Sequence, residues 1–131
     1  MNNHLKLPKI FDPRGNLTFL QFPDQVPFEI KRVFWTYDVP GGEIRGGHAF
    51  KEQQEVIVAL SGSFDVVITN ADGSESRYSL NRSYNALFLP KLTWRHLDNF
   101  STNAVALHLS DSEFSSEDYI RDFQVLQNFN K

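Results

Sequence analysis

The stretch from Gly42 to Gly62 constrains the fold of this chain more than any other part of the sequence. It begins with turn-forming glycines, continues through Arg45-Gly46-Gly47-His48, and ends in an apolar segment at 56–60 that stops at Ser61-Gly62. Strand side chains repeat every two positions, so His48 and Phe50 are expected to share one face of a strand. A histidine on an interior face indicates a site rather than packing alone.

The spacing in this stretch resembles the first motif of the cupin β-barrels. That motif is Gly, five residues, His-x-His, three or four residues, Glu or Gln, six residues, Gly. Here Gly42 is followed by His48 after five residues, Glu55 comes four residues after Phe50, and Gly62 follows after six more. Every position matches except the second histidine, which is Phe50.

A second segment, 90–99, resembles the other cupin motif, Pro-x-Gly-x-x-His-x-x-x-Asn. Pro90 and Asn99 match, but Arg95 stands in place of the histidine. Together the two motifs predict an all-β, cupin-type double-stranded β-helix, or jelly-roll barrel, with a short C-terminal helix.

The departures from these motifs bear on metal binding. A typical cupin metal site uses three histidines and one carboxylate, and only His48 and Glu55 remain here. Phe50 has no donor atom, and the Arg95 guanidinium stays charged with no lone pair for a cation. Two ligands are too few for a first-row metal, so we expect no metal. His96 should face away from Arg95 unless the strand register slips. The Glu55 carboxylate could be a solvated charge at the barrel edge or a pocket acid equally well.

Length and composition narrow the classes of protein to which this chain can belong. At 131 residues we expect one domain, a single cupin domain over 1–131. The net charge is −3 with no basic run, which argues against a nucleic-acid groove, and there are no cysteines for disulfide or thiol chemistry. No apolar run approaches a membrane span, and residues 1–6 lack a signal-peptide core. We therefore expect a cytoplasmic protein with no nucleic-acid or membrane partner.

Short β-type segments recur along the chain and predict a β-sandwich or small barrel. We expect strands over 5–10, 17–21, 30–39, 63–69, 74–80, 85–89, 93–98 and 104–109. The Asp72-Gly73 turn predicts a hairpin between two of them. A serine at 115 with acids at 117 and 118 predicts a helix that continues to about residue 128.

Alternation in the 30–39 segment separates two sets of side chains. Arg32, Phe34 and Thr36 are expected on one face. Trp35 and Tyr37 are expected on the other.

Nearly the whole chain resembles the FdtA/WxcM-like cupins, the family of dTDP-4-dehydro-6-deoxyglucose 3,4-ketoisomerases. The matching segments are 12–17, 30–35, 37–40, 45–49, 59–66, 94–95 with 99–101, and 118–122. The resemblance implies a metal-independent isomerase without a cofactor that acts on a dTDP-linked 4-keto-6-deoxyhexose, moving its ketone from C4 to C3. It also implies a role in deoxy-amino-sugar and surface-polysaccharide biosynthesis, and a homodimer. The family pattern His-Ala-His maps His48 to its first histidine and Phe50 to its second, and Tyr37 maps to the active-site tyrosine.

Moving a ketone between neighbouring carbons requires a proton to leave C3 and another to reach C4. Histidine suits this chemistry because its pKa lies near neutrality. We therefore predict that His48 is the base and that Tyr37 donates or shuttles a proton between the oxygens.

The substrate's pyrophosphate calls for cations, and arginine binds phosphate through its planar set of donors. We expect Arg32, Arg45, Arg95 and Lys51 to serve this purpose. Trp94, Tyr84 or Phe50 is expected to stack on the thymine or line the sugar pocket, with Trp94 and Arg95 pointing to opposite faces.

Three other interpretations remain open from the sequence. Phe50 in place of the second histidine favours a non-catalytic or altered-specificity nucleotide-sugar-binding cupin. A metal-dependent cupin such as a dioxygenase lacks ligands here, and a related epimerase usually has a longer chain. Each candidate residue also has a structural interpretation, Tyr37 as a core tyrosine and Arg95 as a surface ion-pair residue.

Overall fold

The computed structural model describes residues 3–129, and within this range the chain is almost entirely β. Its strands are β1 His4–Lys6, β2 Lys9–Ile10, β3 Leu17–Thr18, β4 Arg32–Thr36, β5 Arg45–Phe50, β6 Glu55–Ser61, β7 Phe64–Thr69, β8 Glu75–Leu80, β9 Asn85–Leu89, β10 Trp94–Asp98, β11 Val105–Ser110 and β12 Tyr119–Ile120. One α-helix follows, α1 Phe123–Phe129. The predicted domain also includes residues 1–2 and 130–131, which lie outside the described residues.

The strands form two five-stranded antiparallel sheets and one small hairpin. The first sheet has the order β1-β9-β6-β11-β4, the second β12-β5-β10-β7-β8, and β2 pairs with β3. The first motif of the sequence thus supplies β5 to one sheet and β6 to the other. This architecture, with one short C-terminal helix, confirms the predicted cupin-type jelly roll.

Apolar side chains fill one end of the space between the sheets. Phe64, Val66 and Leu80 from the second sheet pack against Ile57 and Leu87 from the first, all of them buried. Another buried cluster covers part of the outer face of the first sheet, where Val26 and Phe28 pack on β6, β9 and β11. The other end of the barrel is not filled, and that end holds the site described below.

The β5 strand carries a bulge where it pairs with β10. Arg95 lies opposite His48, but His96 lies opposite Gly46, so Gly47 is the extra residue. Gly46 and Gly47 have φ of +99° and +83°, values that residues with a Cβ rarely adopt. Because of the extra residue, Arg45 and His48 both line the same cavity although they are three positions apart.

Replacing Gly46 with alanine should destabilise the fold. An added Cβ would lie 3.1 Å from the Cα of His96 and 3.3 Å from the carbonyl oxygen of Arg95, at a positive φ. We expect the free energy of unfolding to fall by about 1–3 kcal/mol, the usual cost of such strain. Urea unfolding measures it, with Gly41→Ala as control because a Cβ at Gly41 meets nothing within 4 Å. Equal effects of the two substitutions would contradict this assignment.

The C-terminal helix begins later than predicted. Ser115 precedes a single 3-10 turn at Ser116–Asp118, and β12 follows before α1 begins at Phe123. Tyr119 and Ile120 pair with Phe50 and Ala49 of β5, and this sheet pairing replaces the first predicted turns of the helix. The predicted helix over 115–128 is therefore wrong in its first half.

The predicted hairpin is confirmed, since β7 and β8 pair along their full length around the Asp72-Gly73 turn. The expected strand at 5–10 is divided into β1 and β2. Within residues 3–129 no helix is both long and apolar enough to span a membrane.

Candidate active site

A cavity of about 400 Å³ opens between the two sheets at the unfilled end of the barrel. Its walls come from β4, β5, β6, β10, β11 and β12, so both sheets contribute. Its ionisable lining side chains are Arg45, His48, Glu55, Arg95, His108, Tyr119 and Arg121. This volume lies within the usual range of small-molecule sites.

His48 projects from β5 into this cavity among aromatic rings. Its ring centroid lies 4.9 Å from that of Phe50 and 5.1 Å from that of Tyr119. Burial lowers the pKa of His48, and the positive charge of Arg95 lowers it further, to about 4. The imidazole is therefore neutral at pH 7, and a neutral imidazole is the form that accepts a proton.

The lowered pKa of His48 predicts a pH-dependent loss of stability. Between pH 6.5, the ordinary value, and about 4, the unfolded chain binds a proton at His48 that the folded chain does not. The wild type should therefore lose stability relative to a His48→Asn variant as pH falls through this window. Chemical unfolding of both proteins at pH 7, 6, 5 and 4 measures the difference. Parallel curves would contradict the lowered pKa.

Glu55 is buried beneath the cavity and is fully engaged by its neighbours. His108 Nδ1 lies 2.8 Å from Glu55 Oε1, and Gln53 Nε2 donates to Oε2 at 3.3 Å. Arg95 Nη1 lies 3.5 Å from Oε2. Burial raises the pKa of the Glu55 carboxyl, but its interactions with His108 and Arg95 outweigh burial and hold the pKa below the ordinary value. Glu55 is therefore ionised, a pocket carboxylate rather than a solvated edge charge.

Arg95 has unused hydrogen-bonding capacity inside the protein. Its side chain is 1% exposed, and its Nε donates to the carbonyl oxygen of Thr93 at 3.0 Å. Neither Nη1 nor Nη2 has a hydrogen-bond partner among the described residues. Buried donors without partners are costly, and the Arg95 guanidinium lines the cavity. It is therefore ready to bind an oxygen anion.

The structure brings four of the predicted site residues together in the cavity: His48, Phe50, Arg45 and Arg95. Phe50 is buried, and its ring lies 5.0 Å from the Arg95 guanidinium carbon. The predicted opposite facing of Trp94 and Arg95 is observed, since Trp94 packs against Phe123 of α1 on the outside of the sheet.

Other predicted residues lie outside the cavity. Arg32 donates to Gln53 Oε1 at 3.1 Å and stacks on Phe34, so it contacts the residues behind Glu55 instead. Lys51 contributes its backbone N–H to the carbonyl of Asp118, and Tyr84 lies under Lys9.

Tyr37 is exposed on the outer face of the first sheet, beside Trp35 and Leu60. This face is opposite to the one from which Phe34 and Thr36 reach the cavity. Within one chain the Tyr37 hydroxyl therefore does not face His48. The tyrosine in the cavity is Tyr119.

Sequence reasoning missed three ionisable cavity residues, Tyr119, Arg121 and His108. Tyr119 and Arg121 lie within segment 118–122, which belongs to the resemblance but is predicted to be helical. Their packing is mutual, since the Arg121 guanidinium carbon lies 4.3 Å from the Tyr119 ring. For His108 the one available signal is the alternation along β11, since every second residue of that strand faces the barrel interior.

The side chains present do not fit the metal site of a typical cupin. Phe50 and Arg95 occupy two of the positions where that site has histidines, and both face the cavity. Within the described part of the chain, 3–129, no group of three or more histidine, cysteine, aspartate or glutamate side chains is placed to hold a metal ion.

Known proteins resemble this chain in sequence and in fold. A curated TDP-4-oxo-6-deoxy-alpha-D-glucose-3,4-oxoisomerase from Aneurinibacillus thermoaerophilus is 32% identical over 130 residues, covering 99% of this chain and 91% of that protein. A 3,4-ketoisomerase from Helicobacter canadensis superposes with a TM-score of 0.91 at 34% identity, covering 96% of this chain and 94% of that chain.

A third relative carries a ligand. A variant of the 3,4-ketoisomerase QdtA from Thermoanaerobacterium thermosaccharolyticum, in complex with TDP-4-keto-6-deoxyglucose, superposes with a TM-score of 0.92 at 28% identity, covering 96% of this chain and 91% of that chain. The family model described as FdtA, WxcM-like, C-terminal matches residues 1–131. The chain therefore belongs to the FdtA, or WxcM-like C-terminal, family.

Proposed function

We propose that this chain is a nucleotide-sugar 3,4-ketoisomerase that converts TDP-4-keto-6-deoxyglucose to the corresponding 3-keto sugar. The observation that carries the proposal is the register of β5 and β10, which sets a neutral imidazole, His48, opposite a guanidinium, Arg95, whose two Nη nitrogens have no hydrogen-bond partner within residues 3–129, at one cavity wall. A base beside a fixed positive charge is the arrangement that formation of an enediolate requires. The relatives' 3,4-ketoisomerase activity supports the same assignment.

The chemistry begins at C3 of the hexose. His48 takes the C3 proton, the electron pair of that C–H bond forms a C3=C4 double bond, and the ketone oxygen on C4 becomes an oxyanion. The Nη1 and Nη2 groups of Arg95, which have no hydrogen-bond partner in the described part of the chain, stabilise this oxyanion. Because they are held in place before the reaction, they need no reorganisation when the charge develops. The ketone at C3 then forms when the oxyanion on C4 is protonated, the C3 hydroxyl loses its proton, and the C3=C4 electron pair takes up a proton at C4.

The nucleotide part of the substrate carries two phosphates that need positive charge at the cavity mouth. Arg45 and Arg121 line the cavity and are exposed, so they are placed to bind this pyrophosphate. Arg32, Lys51 and Trp94 do not line the cavity, and Phe50 contributes an apolar wall. Tyr119 contacts the His48 ring and is the tyrosine that lines the cavity where Tyr37 was expected.

Incubation with TDP-4-keto-6-deoxyglucose tests the assignment directly. We expect NMR to show the 3-keto sugar nucleotide appearing as the 4-keto signals disappear. A matched sample without enzyme measures spontaneous isomerisation. Binding of TDP without any product would instead support the non-catalytic interpretation, which the comparisons do not favour.

We also propose a homodimer that covers the exposed apolar face of the first sheet. Trp35, Tyr37 and Leu60 are 57%, 59% and 54% exposed there, next to Val105 and Leu107. A contiguous exposed apolar patch of this kind is typical of interaction surfaces. A second copy of the chain fits the homodimer that the family resemblance implies.

Introducing a charge into this face should separate the dimer. For a Trp35→Arg variant we expect the mass from light scattering to fall from that of a dimer to that of a monomer, because an unpaired charge would be buried at the interface. Phe11→Arg is the control, since Phe11 is exposed but lies outside this face. A monomeric wild type, or a dimeric Trp35→Arg variant, would contradict the assignment of the interface.

A further inference from the structure

The cavity contains a second imidazole that the proposed chemistry has not yet used. His108 projects from β11 of the first sheet, whereas His48 projects from β5 of the second, so the two rings enter from opposite walls. Each hexose turnover moves two protons, one from C3 and one to C4. The family motif provides two histidines on one strand, and Phe50 removes the second of them here.

The surroundings of His108 hold its ring in one orientation. Its Nδ1 lies 2.8 Å from Glu55 Oε1, and an ionised carboxylate only accepts hydrogen bonds, so Nδ1 carries a proton and donates it. Phe34 stacks on the ring at 4.5 Å between centroids and 5° between planes. The opposite nitrogen, Nε2, is then left facing Thr36, 3.5 Å from its hydroxyl oxygen.

The carboxylate behind His108 is itself held in place. Gln53 donates to Glu55 from one side and accepts from Arg32, and Arg95 lies on the other side. A carboxylate paired with one ring nitrogen fixes the tautomer and compensates the charge when the other nitrogen binds a proton. This is the arrangement of a general acid–base histidine, and it is more elaborate than packing alone requires.

We propose that His108, oriented by Glu55, is a second catalytic residue that carries a proton from the C3 hydroxyl to C4 and so replaces the imidazole missing at position 50. This assignment rests on the proposed ketoisomerase function. Glu55 acts through His108 and is a positioning residue.

The proton transfers balance without any outside donor. His48 takes the C3 proton and gives it to the oxyanion on C4, which produces a neutral enediol. His108 Nε2 then takes the proton of the C3 hydroxyl. The C3–O electron pair forms the C3=O bond, the C3=C4 pair moves to C4, and His108 returns its proton there. Each imidazole ends the cycle with the number of protons it began with, and no oxidant or reductant is involved.

Isotope exchange separates the two histidines. In D₂O, removal of the C3 proton by His48 replaces the C3 hydrogen of the substrate with deuterium, whereas product formation also requires the second transfer. The variant is His108→Asn, because an asparagine amide nitrogen takes the place of Nδ1 and keeps the bond to Glu55 while Nε2 is removed. His96→Asn is the matched control, since His96 faces Asp98 outside the cavity.

We expect His108→Asn to form product about 100-fold more slowly or worse, the usual contribution of a general acid–base group, while C3 exchange continues. His96→Asn should match the wild type in both measurements. Product formation by His108→Asn within threefold of the wild type would overturn the proposal, as would joint loss of exchange and product in a folded variant that still binds TDP.

A wild type that forms no product would refute the ketoisomerase function itself, which distinguishes the two failures. If His108→Asn does not fold, as judged by circular dichroism, His108→Gln is measured in its place. The glutamine amide reaches the position of Nε2 but cannot carry a proton between two sites. Slow product formation with continued C3 exchange would then support the proposal, and product formation within threefold of the wild type would overturn it.

Discussion

A His48→Asn variant should lose nearly all ketoisomerase activity, with kcat/KM falling by about 10²–10⁴-fold, the range that general acid–base catalysis contributes. Asparagine keeps a polar group of similar size but has no lone pair of suitable basicity for the C3 proton. The variant should also abolish deuterium exchange at C3, unlike His108→Asn. NMR assay of product and exchange in D₂O measures both effects.

The fold and nucleotide binding should survive this substitution. His48 is half-buried and makes ring contacts with Phe50 and Tyr119, and no hydrogen bond to its ring is needed to hold β5 in the sheet. Calorimetric titration with TDP at the wild-type affinity would show that the site is intact. A His48→Asn variant with more than a tenth of wild-type activity would remove His48 from the base role.

An Arg95→Met variant should lose about 10²–10³-fold in kcat, the typical effect of removing one oxyanion donor. Methionine fills similar space but provides no donor for the oxygen on C4. The effect should fall on kcat more than on KM, because the oxyanion exists only after the C3 proton has left. Steady-state kinetics at several substrate concentrations separates the two parameters.

Stability must be measured beside activity for this variant. Removing one partner of a buried ion pair costs about 3–5 kcal/mol when the other charge is left unpaired, although Glu55 keeps its bonds from His108 and Gln53. Arg95→Lys keeps a positive charge and is the companion variant. If both variants are folded and kcat is unchanged in Arg95→Met, Arg95 has no part in stabilising the oxyanion.

Local periodicity predicted the parts of the fold that depend on neighbouring residues. Alternation along 30–39 correctly placed Phe34 and Thr36 on the face opposite Trp35 and Tyr37, because strand side chains repeat every two positions. The same rule separated Trp94 from Arg95. It did not say which face is inward, so Tyr37 was predicted in the site from the resemblance, whereas the structure places it on the outer face.

Contacts between distant segments could not be read in the same way. Tyr119 enters the cavity because β12 pairs with β5, and a pairing between residues 50 and 119 leaves no local pattern. Serine and two acids at 115–118 favour a helix start in any sequence window, so sheet pairing overrode a valid local preference. His108 could likewise not be recognised as a site residue from the sequence, because its contact with Glu55 depends on the pairing of β11 with β6.

The bulge at Gly47 determines which side chains of β5 face the cavity entrance. Because one additional backbone unit lets positions 45 and 48 point the same way, a rim arginine and a base share a wall despite their odd separation. Without the extra residue, positions 45 and 48 would fall on opposite faces of β5, and the guanidinium would no longer line the same wall as His48. The number of residues in this segment, as well as their identity, therefore decides whether a positive charge lines the cavity entrance.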